Sequence, residues 1–141
     1  MIHLALCAGV FFFSLITIFL NRELIFFDAN PQTTKPYNPI APIVGLITLS
    51  GSIFFFKNLL AKINKSESAE MKINQYQSAF IISAALLEGG ALFNTVVFFL
   101  TQNSFFLLFA GANFLFLIFR HPTKDKLISV LQLQYPDTEA L

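Results

Sequence analysis

Long apolar runs, separated by short polar segments, dominate the pattern of this chain. Residues 1 to 21 contain no Asp, Glu, Lys or Arg, and neither do residues 36 to 56; the 47 residues between Lys72 and Arg120 contain only Glu88. The runs are continuously apolar rather than alternating, which indicates helices and not the strands of an outer-membrane barrel. Each run is long enough to cross a bilayer, because about 20 helical residues span a hydrocarbon core of ~30 Å.

The longest uncharged stretch predicts two helices joined by a turn. As one helix its 47 residues would extend to roughly 70 Å at ~1.5 Å per residue, far more than one crossing needs. Its longest run of consecutive polar residues is Thr-Gln-Asn-Ser at positions 101 to 104, and these residue types favour turns and helix caps. The sequence therefore predicts an all-α integral membrane bundle with four transmembrane helices, at about residues 2–20, 40–57, 75–100 and 104–119.

The distribution of basic residues predicts the orientation of this bundle. Four crossings place both termini and the loop of residues 58 to 74 on one side of the membrane. That side carries seven of the nine Lys and Arg residues, whereas the other side carries Arg22 and Lys35. By the positive-inside rule, we expect cytoplasmic N- and C-termini in the inner, or plasma, membrane. The first run lacks a basic segment before it and a small-residue cleavage site after it, so we expect a retained helix and not a signal peptide.

Residues 121 to 141 follow the predicted transmembrane domain of residues 1 to 120 as a polar tail. Leu127, Ile128 and Leu131 share one face at helical spacing, so the tail is expected to contain a short amphipathic helix. We expect this helix to lie on the cytoplasmic interface, and docking onto a partner subunit is the alternative. His121 has no Cys, Asp or second His at ligand spacing in the sequence, so a metal role is not expected.

Composition narrows the functional classes. The chain is 55% apolar and only 12% charged, with 19 Phe residues and no Trp. Soluble domains carry about twice that charged fraction, so the composition excludes a water-soluble globule, a disordered chain and a secreted disulfide scaffold. A single cysteine, Cys7, cannot form an internal disulfide. We expect the lipid bilayer as the surrounding medium, no nucleic-acid partner, no cofactor and no bound metal.

Glu88 is the one charged residue that the predicted topology does not explain. It lies near the middle of the third span, twelve residues before Leu100. A charge at the centre of a membrane helix costs about 2.5 to 3.5 kcal/mol on insertion scales, and such residues mark functional sites by default. Lys57, at the very end of the second span, is the only Lys or Arg in the four predicted spans. Glu88 is therefore protonated and hydrogen-bonded, or it faces a hydrated cavity or a cation, or it pairs with a basic residue of another subunit.

The other polar residues of the spans suggest partners for Glu88. Thr95 shares the face of Glu88 at helical spacing, Asn94 lies further around the same helix, and Asn113 lies at a similar depth in the fourth span. We predict that these residues form a buried polar cluster. Small residues that allow close helix packing flank Glu88, namely Ala84, Gly89, Gly90 and Ala91.

Two segments resemble a group of small bacterial four-helix membrane proteins of unassigned function. They are Ala-Ala-Leu-Leu-Glu-Gly-Gly-Ala-Leu-Phe at 84 to 93, continuing through residues 98 to 103, and Arg-His-Pro-Thr-Lys-Asp-Lys at 120 to 126. The group has a Leu-Leu-Glu-Gly-Pro-Ala-Leu-Phe core and an Arg-Pro-Thr-Lys-Glu-Lys tail. Gly90 stands where the group often has proline. The resemblance covers about half the chain and implies a four-helix membrane fold without implying an activity.

A looser resemblance is to the proteolipid subunits of rotary ATPases, which carry an ion-binding Glu in the middle of a membrane helix. Glu88 followed by Ala91 is similar to that site. In proteolipids the carboxylate lies on the second helix of a hairpin whose first helix has a glycine repeat. Here it lies on the third span, and no such repeat is present. Small four-helix drug exporters also use one membrane Glu, but theirs is on the first helix.

Two functional hypotheses follow. The first is an accessory or structural subunit of a membrane complex, associated with other membrane subunits or with copies of itself. The second is a small proton- or cation-coupled transporter, or a proteolipid-like subunit, that uses Glu88. The first expects Glu88→Gln to fold and assemble nearly normally, whereas the second expects ion-coupled flux to be lost with the fold intact. We do not expect an enzyme, because the spans contain no paired carboxylates and no nucleophile near a base.

Overall fold

The computed structural model describes residues 2 to 141, except the side chain of Ala140. It is all-helical over these residues, as predicted. The predicted transmembrane domain begins at Met1, which lies outside the described residues. The helices are α1 (Ile2–Asn21), α2 (Tyr37–Ala61), α3 (Ala69–Thr101), α4 (Phe105–Phe119) and α5 (Lys124–Leu131), followed by a 3-10 turn over Asp137–Ala140.

Three helices, α1, α2 and α3, are long and apolar enough to cross a membrane. The fourth apolar helix, α4, has 15 residues and is followed by α5 after a bend of 76°. Both α2 and α3 continue beyond the predicted spans, through Ala61 and from Ala69. The predicted spans end where charged residues begin. A helix can continue through charged residues outside the bilayer, and both helices do so here. The start of α3 is set by its cap, since the Ser68 hydroxyl accepts a hydrogen bond from the Met71 N–H.

Helix α3 lies at the centre of the fold. It contacts α1, α2, α4 and α5. In the most apolar 18-residue stretch of α3, half of the residues are buried within the protein, whereas 17% are buried in the corresponding stretches of α1 and α2. Several small and polar residues of its middle turns are fully buried, which lets three neighbouring helices approach it. They include Ala84, Ala91, Asn94 and Thr95.

The loop between α1 and α2 packs on the turn between α3 and α4. The backbone N–H of Phe26 donates to Gln102 O at 3.1 Å, and the Ser104 N–H donates to Phe26 O at 2.8 Å. The fully buried Asn103 side chain adds a second pair of bonds: Nδ2 donates to Asp28 O at 2.7 Å, and Oδ1 accepts from the Asp28 N–H at 3.0 Å. At this end of the bundle, these four hydrogen bonds therefore hold the α1–α2 loop to the α3–α4 turn.

The tail packs against this same chain at the opposite end. Leu131 and Leu133 are buried in a cluster with Tyr76, and Ile73 and Leu127 pack beside them. The apolar face of α5 thus covers the early turns of α3 around Ile73 and Tyr76. Helix α5 is capped at its start by Thr123, whose hydroxyl accepts a hydrogen bond from the Lys126 N–H.

Candidate intramembrane site

Asn113 joins α4 to α2 in the middle of the bundle. Its Nδ2 donates to Gly45 O at 3.0 Å, and its Oδ1 accepts from the Thr48 hydroxyl at 3.1 Å. Nδ2 also reaches Phe109 O within its own helix at 3.0 Å. Asn113 is 1% exposed, so its amide is satisfied entirely by protein groups.

Two glycines make this junction possible. A Cβ at Gly90 would lie 2.7 Å from Asn113 Oδ1 and 2.9 Å from Thr48 Cβ. A Cβ at Gly45 would lie 3.0 Å from Asn94 Nδ2 and 3.0 Å from Phe109 Cβ. A side chain at position 90 would therefore collide with the side chains of Thr48 on α2 and Asn113 on α4. The group of five residues Gly45, Thr48, Gly90, Asn94 and Asn113 is referred to below as the amide junction.

Asn94 completes the amide junction from α3. Its Nδ2 donates to Gly90 O at 3.0 Å within the helix. Its Oδ1 is buried and has no hydrogen-bond partner among the described residues. An unpaired buried carbonyl oxygen costs free energy, so Asn94 serves packing between helices at some expense to stability.

Thr95 faces a different neighbour. Its hydroxyl lies 3.2 Å from that of Ser14 on α1 and donates to Ala91 O at 2.8 Å. Thr95 is fully buried. It therefore joins α1 to α3, on the side of α3 away from the amide junction.

Glu88 stands apart from both groups. It is partly buried, and its Oε1 lies 4.0 Å from the position of a Cβ on Gly9 of α1. Within the described part of the chain, no hydrogen bond joins Glu88 to Asn94, Thr95 or Asn113. The four residues predicted to form one cluster thus lie in separate places: Asn94 and Asn113 in the amide junction, Thr95 against α1, and Glu88 apart from both. Asn113 lies at about the depth of Glu88 along the bundle, as predicted, because it packs beside Gly90. Its side chain, however, faces α2 and not Glu88.

The surface next to Glu88 is made of small residues. Ala5 and Gly9 on α1 are exposed, and so are Ala85 and Gly89 on α3. A Cβ at Gly89 would meet nothing within 4 Å. Larger exposed side chains, such as Ile81 and Phe93, flank these small residues on α3. Ala5, Gly9, Ala85, Glu88 and Gly89 are referred to below as the Glu88 notch. The other predicted flanking residues, Ala84, Gly90 and Ala91, are buried inside the bundle.

Two contacts at the tail end of the bundle were not anticipated from the sequence. Arg120 folds back onto α2, where Nη1 donates to Ser52 O at 3.1 Å and to Ser52 Oγ at 2.9 Å, while the guanidinium lies over Phe56. His3 and His121 face each other, with 3.2 Å between their Nδ1 atoms. A separation of 118 residues hides this second pair from any local pattern.

No group of three or more His, Cys, Asp or Glu side chains able to hold a metal occurs over residues 2 to 141. Comparisons with protein-family models, with curated proteins and with solved structures give no match for this chain.

Proposed function

We propose that this chain is a small multi-pass membrane protein that acts as an accessory or structural subunit of a membrane complex, and that a helix of a partner subunit docks in the Glu88 notch. The observation that carries this proposal is a mid-helix carboxyl group that forms no hydrogen bond among the described residues and lies beside small exposed residues. Small residues let helix backbones approach closely in lipid, and a polar group then joins the helices by hydrogen bonding.

The proposal includes a fourth crossing by α4. Both ends of α4 lie level with the corresponding ends of the α1 region. At one end, His3 of α1 contacts Leu117 O and His121. At the other, Phe26, just after α1, pairs with Gln102 and Ser104 at the start of α4. Since α1 is long enough to span, α4 covers nearly the same depth, and Arg120 can extend to the interface beside α2.

In the proposed orientation, the protein lies in the inner or plasma membrane, and both termini face the cytoplasm. It is supported by the excess of Lys and Arg on the side of the termini. Reporter fusions at the 22–36 loop and at the C-terminus test it. A cytoplasmic signal from the loop would contradict this orientation.

The test of the docking function compares substitutions of one residue. We expect Glu88→Gln to preserve co-isolation with a membrane partner in mild detergent, because the amide keeps the size and the hydrogen-bonding capacity of a protonated carboxyl. We expect Glu88→Leu to abolish co-isolation while the chain remains folded, because leucine is compatible with a membrane helix. Equal recovery of the partner with both variants would overturn the proposal.

A second function, a proton- or cation-coupled carrier, is supported by the partial exposure of Glu88 and by the lack of Lys or Arg over residues 73 to 119 around it. Flux in proteoliposomes distinguishes it from the first. A carrier would transport ions as the purified chain and would lose flux with Glu88→Gln, whereas the subunit proposal expects no flux from wild type.

A further inference from the structure

The His3–His121 pair has the geometry of a chelating site. His3 is 7% exposed, and its ring belongs to α1, whereas His121 is exposed and follows α4. Their Nδ1 atoms lie 3.2 Å apart, and the ring planes are inclined by 52°. Two imidazole nitrogens bound at ~2.0–2.1 Å to one tetrahedral ion lie roughly 3.3–3.4 Å apart. The observed separation is close to this distance.

The position of the proton on His3 follows from its neighbours. Its Nε2 lies 2.7 Å from Leu117 O, and a carbonyl oxygen only accepts, so Nε2 carries the hydrogen. In the neutral ring, Nδ1 then presents a lone pair to His121. Donation of the other ring N–H to a backbone carbonyl is the usual outer-shell arrangement of a metal-binding histidine, because it fixes the tautomer and the ring orientation.

The space beside the pair can hold further ligands. A cavity of about 400 Å³ is lined by both histidines together with Gln77, Phe80 and Pro122. Water molecules in this cavity can occupy the remaining coordination positions, and the Gln77 amide is available to hydrogen-bond them. Cys7 is not suited as a ligand here, since its sulfur lies 3.7 Å from Nε2 of His3, on the far side of the ring.

We propose that His3 and His121 bind one divalent transition-metal ion, of the class represented by Zn²⁺ and Cu²⁺, through their Nδ1 atoms. On binding, the hydrogen between the rings moves to Nε2 of His121, so that both Nδ1 lone pairs are free for the ion. Neutral imidazole favours zinc and copper over magnesium or calcium. The ion would link the start of α1 to the segment that leads from α4 into the tail.

The experiment uses the full chain in detergent without a polyhistidine tag. We expect isothermal titration with Zn²⁺ to show one saturable site. We also expect Cu²⁺ electron paramagnetic resonance to show coupling to two imidazole nitrogens, and Mg²⁺ to give no binding. His121→Gln removes the exposed ligand and leaves the buried His3–Leu117 bond in place, so it should weaken Zn²⁺ binding at least tenfold. Lys126→Gln changes a neighbouring charge and should leave it unchanged.

Thermal unfolding supplies an independent measurement. Zn²⁺ should raise the Tm of wild type but not that of His121→Gln, since only an ion bound to the folded chain stabilises it. An absence of saturable Zn²⁺ binding by wild type would overturn the proposal. Equal affinities for wild type and His121→Gln would overturn it as well, because the ion would then be held elsewhere. If His121→Gln does not fold, Cu²⁺ coupling to fewer than two nitrogens in wild type decides against the pair.

Discussion

Gly90 of α3 lies directly against the side chain of Thr48 of α2, and a Cβ at position 90 would come within 2.9 Å of Thr48 Cβ. The next residue back, Gly89, faces open space instead. Two adjacent glycines in one helix thus have different roles. Gly90 permits the contact between α2 and α3, whereas Gly89 forms part of the Glu88 notch.

Gly90→Ala should destabilise the bundle. The added methyl group cannot fit without separating α2 from α3, and such overpacking typically costs about 1–3 kcal/mol. Gly89→Ala is the matched control, since the same methyl group meets no neighbour and alanine favours a helix over glycine. Reversible unfolding in mixed detergent micelles measures both. Equal stability of the two variants would show that α2 and α3 are further apart than described.

Asn113 and Thr48 should be energetically coupled. Interhelical hydrogen bonds in membrane proteins average ~0.6 kcal/mol and reach ~1.7 kcal/mol. We expect a double-mutant cycle of Thr48→Val and Asn113→Ala to give a coupling energy in that range, because each substitution removes the same bond. Ser50→Ala is a suitable control with Asn113→Ala, since the Ser50 hydroxyl bonds only to carbonyl groups of its own helix. Strict additivity of Thr48→Val and Asn113→Ala would contradict the bond.

Asn103→Ala should release the loop between α1 and α2. The alanine can neither donate to Asp28 O nor accept from the Asp28 N–H, so two bonds that hold the loop to the α3–α4 turn are lost. Hydrogen exchange over residues 22 to 36 should become faster, while exchange in α2 and α3 is retained. Asn30→Ala changes an asparagine within the same loop and serves for comparison. Unchanged protection after Asn103→Ala would argue against this pairing.

The same loop should loosen in acid. The Thr33 hydroxyl and the Asn30 N–H donate hydrogen bonds to the Asp28 carboxylate, and they lower its pKa below the ordinary 3.8. Because the folded pKa is the lower one, these bonds stabilise the loop fully above the ordinary value, and the stabilisation is lost as pH falls through the folded pKa. Loop exchange, corrected for intrinsic rates, should therefore increase below about pH 3.8. Asp28→Asn should remove this pH dependence.

Apolar run length predicted the helices well because membrane helices must satisfy their own backbone groups within each segment. It predicted α1 and the α3–α4 turn closely, since Asn103 and Ser104 lie where the apolar sequence is interrupted. It underestimated α2 and α3, because both continue as helices in the charged segment, where capping by Ser68 sets the boundary.

Side-chain pairing within the bundle was harder to predict. Helical periodicity places Asn94 further around α3 than Glu88, but it does not show which neighbour each face meets. Asn113 meets Gly45 because α2 and α4 pack together, and this follows from the arrangement of helices in three dimensions. The His3–His121 contact likewise depends on α1 and α4 lying side by side.

Photo-crosslinking in native membranes tests the central claim, docking of a partner helix at the Glu88 notch, most directly. A benzoylphenylalanine in place of Phe93 lies one turn from Gly89, and the same probe at Phe54 lies on the exposed surface of α2 as a control. We predict one discrete adduct with a different membrane protein from position 93, none from position 54, and loss of the adduct when Gly89→Leu fills the notch. Gly51→Leu, which adds the same side chain at an open glycine of α2, should leave the adduct unchanged. No discrete adduct from position 93, or an adduct only with a second copy of this chain, would contradict the account.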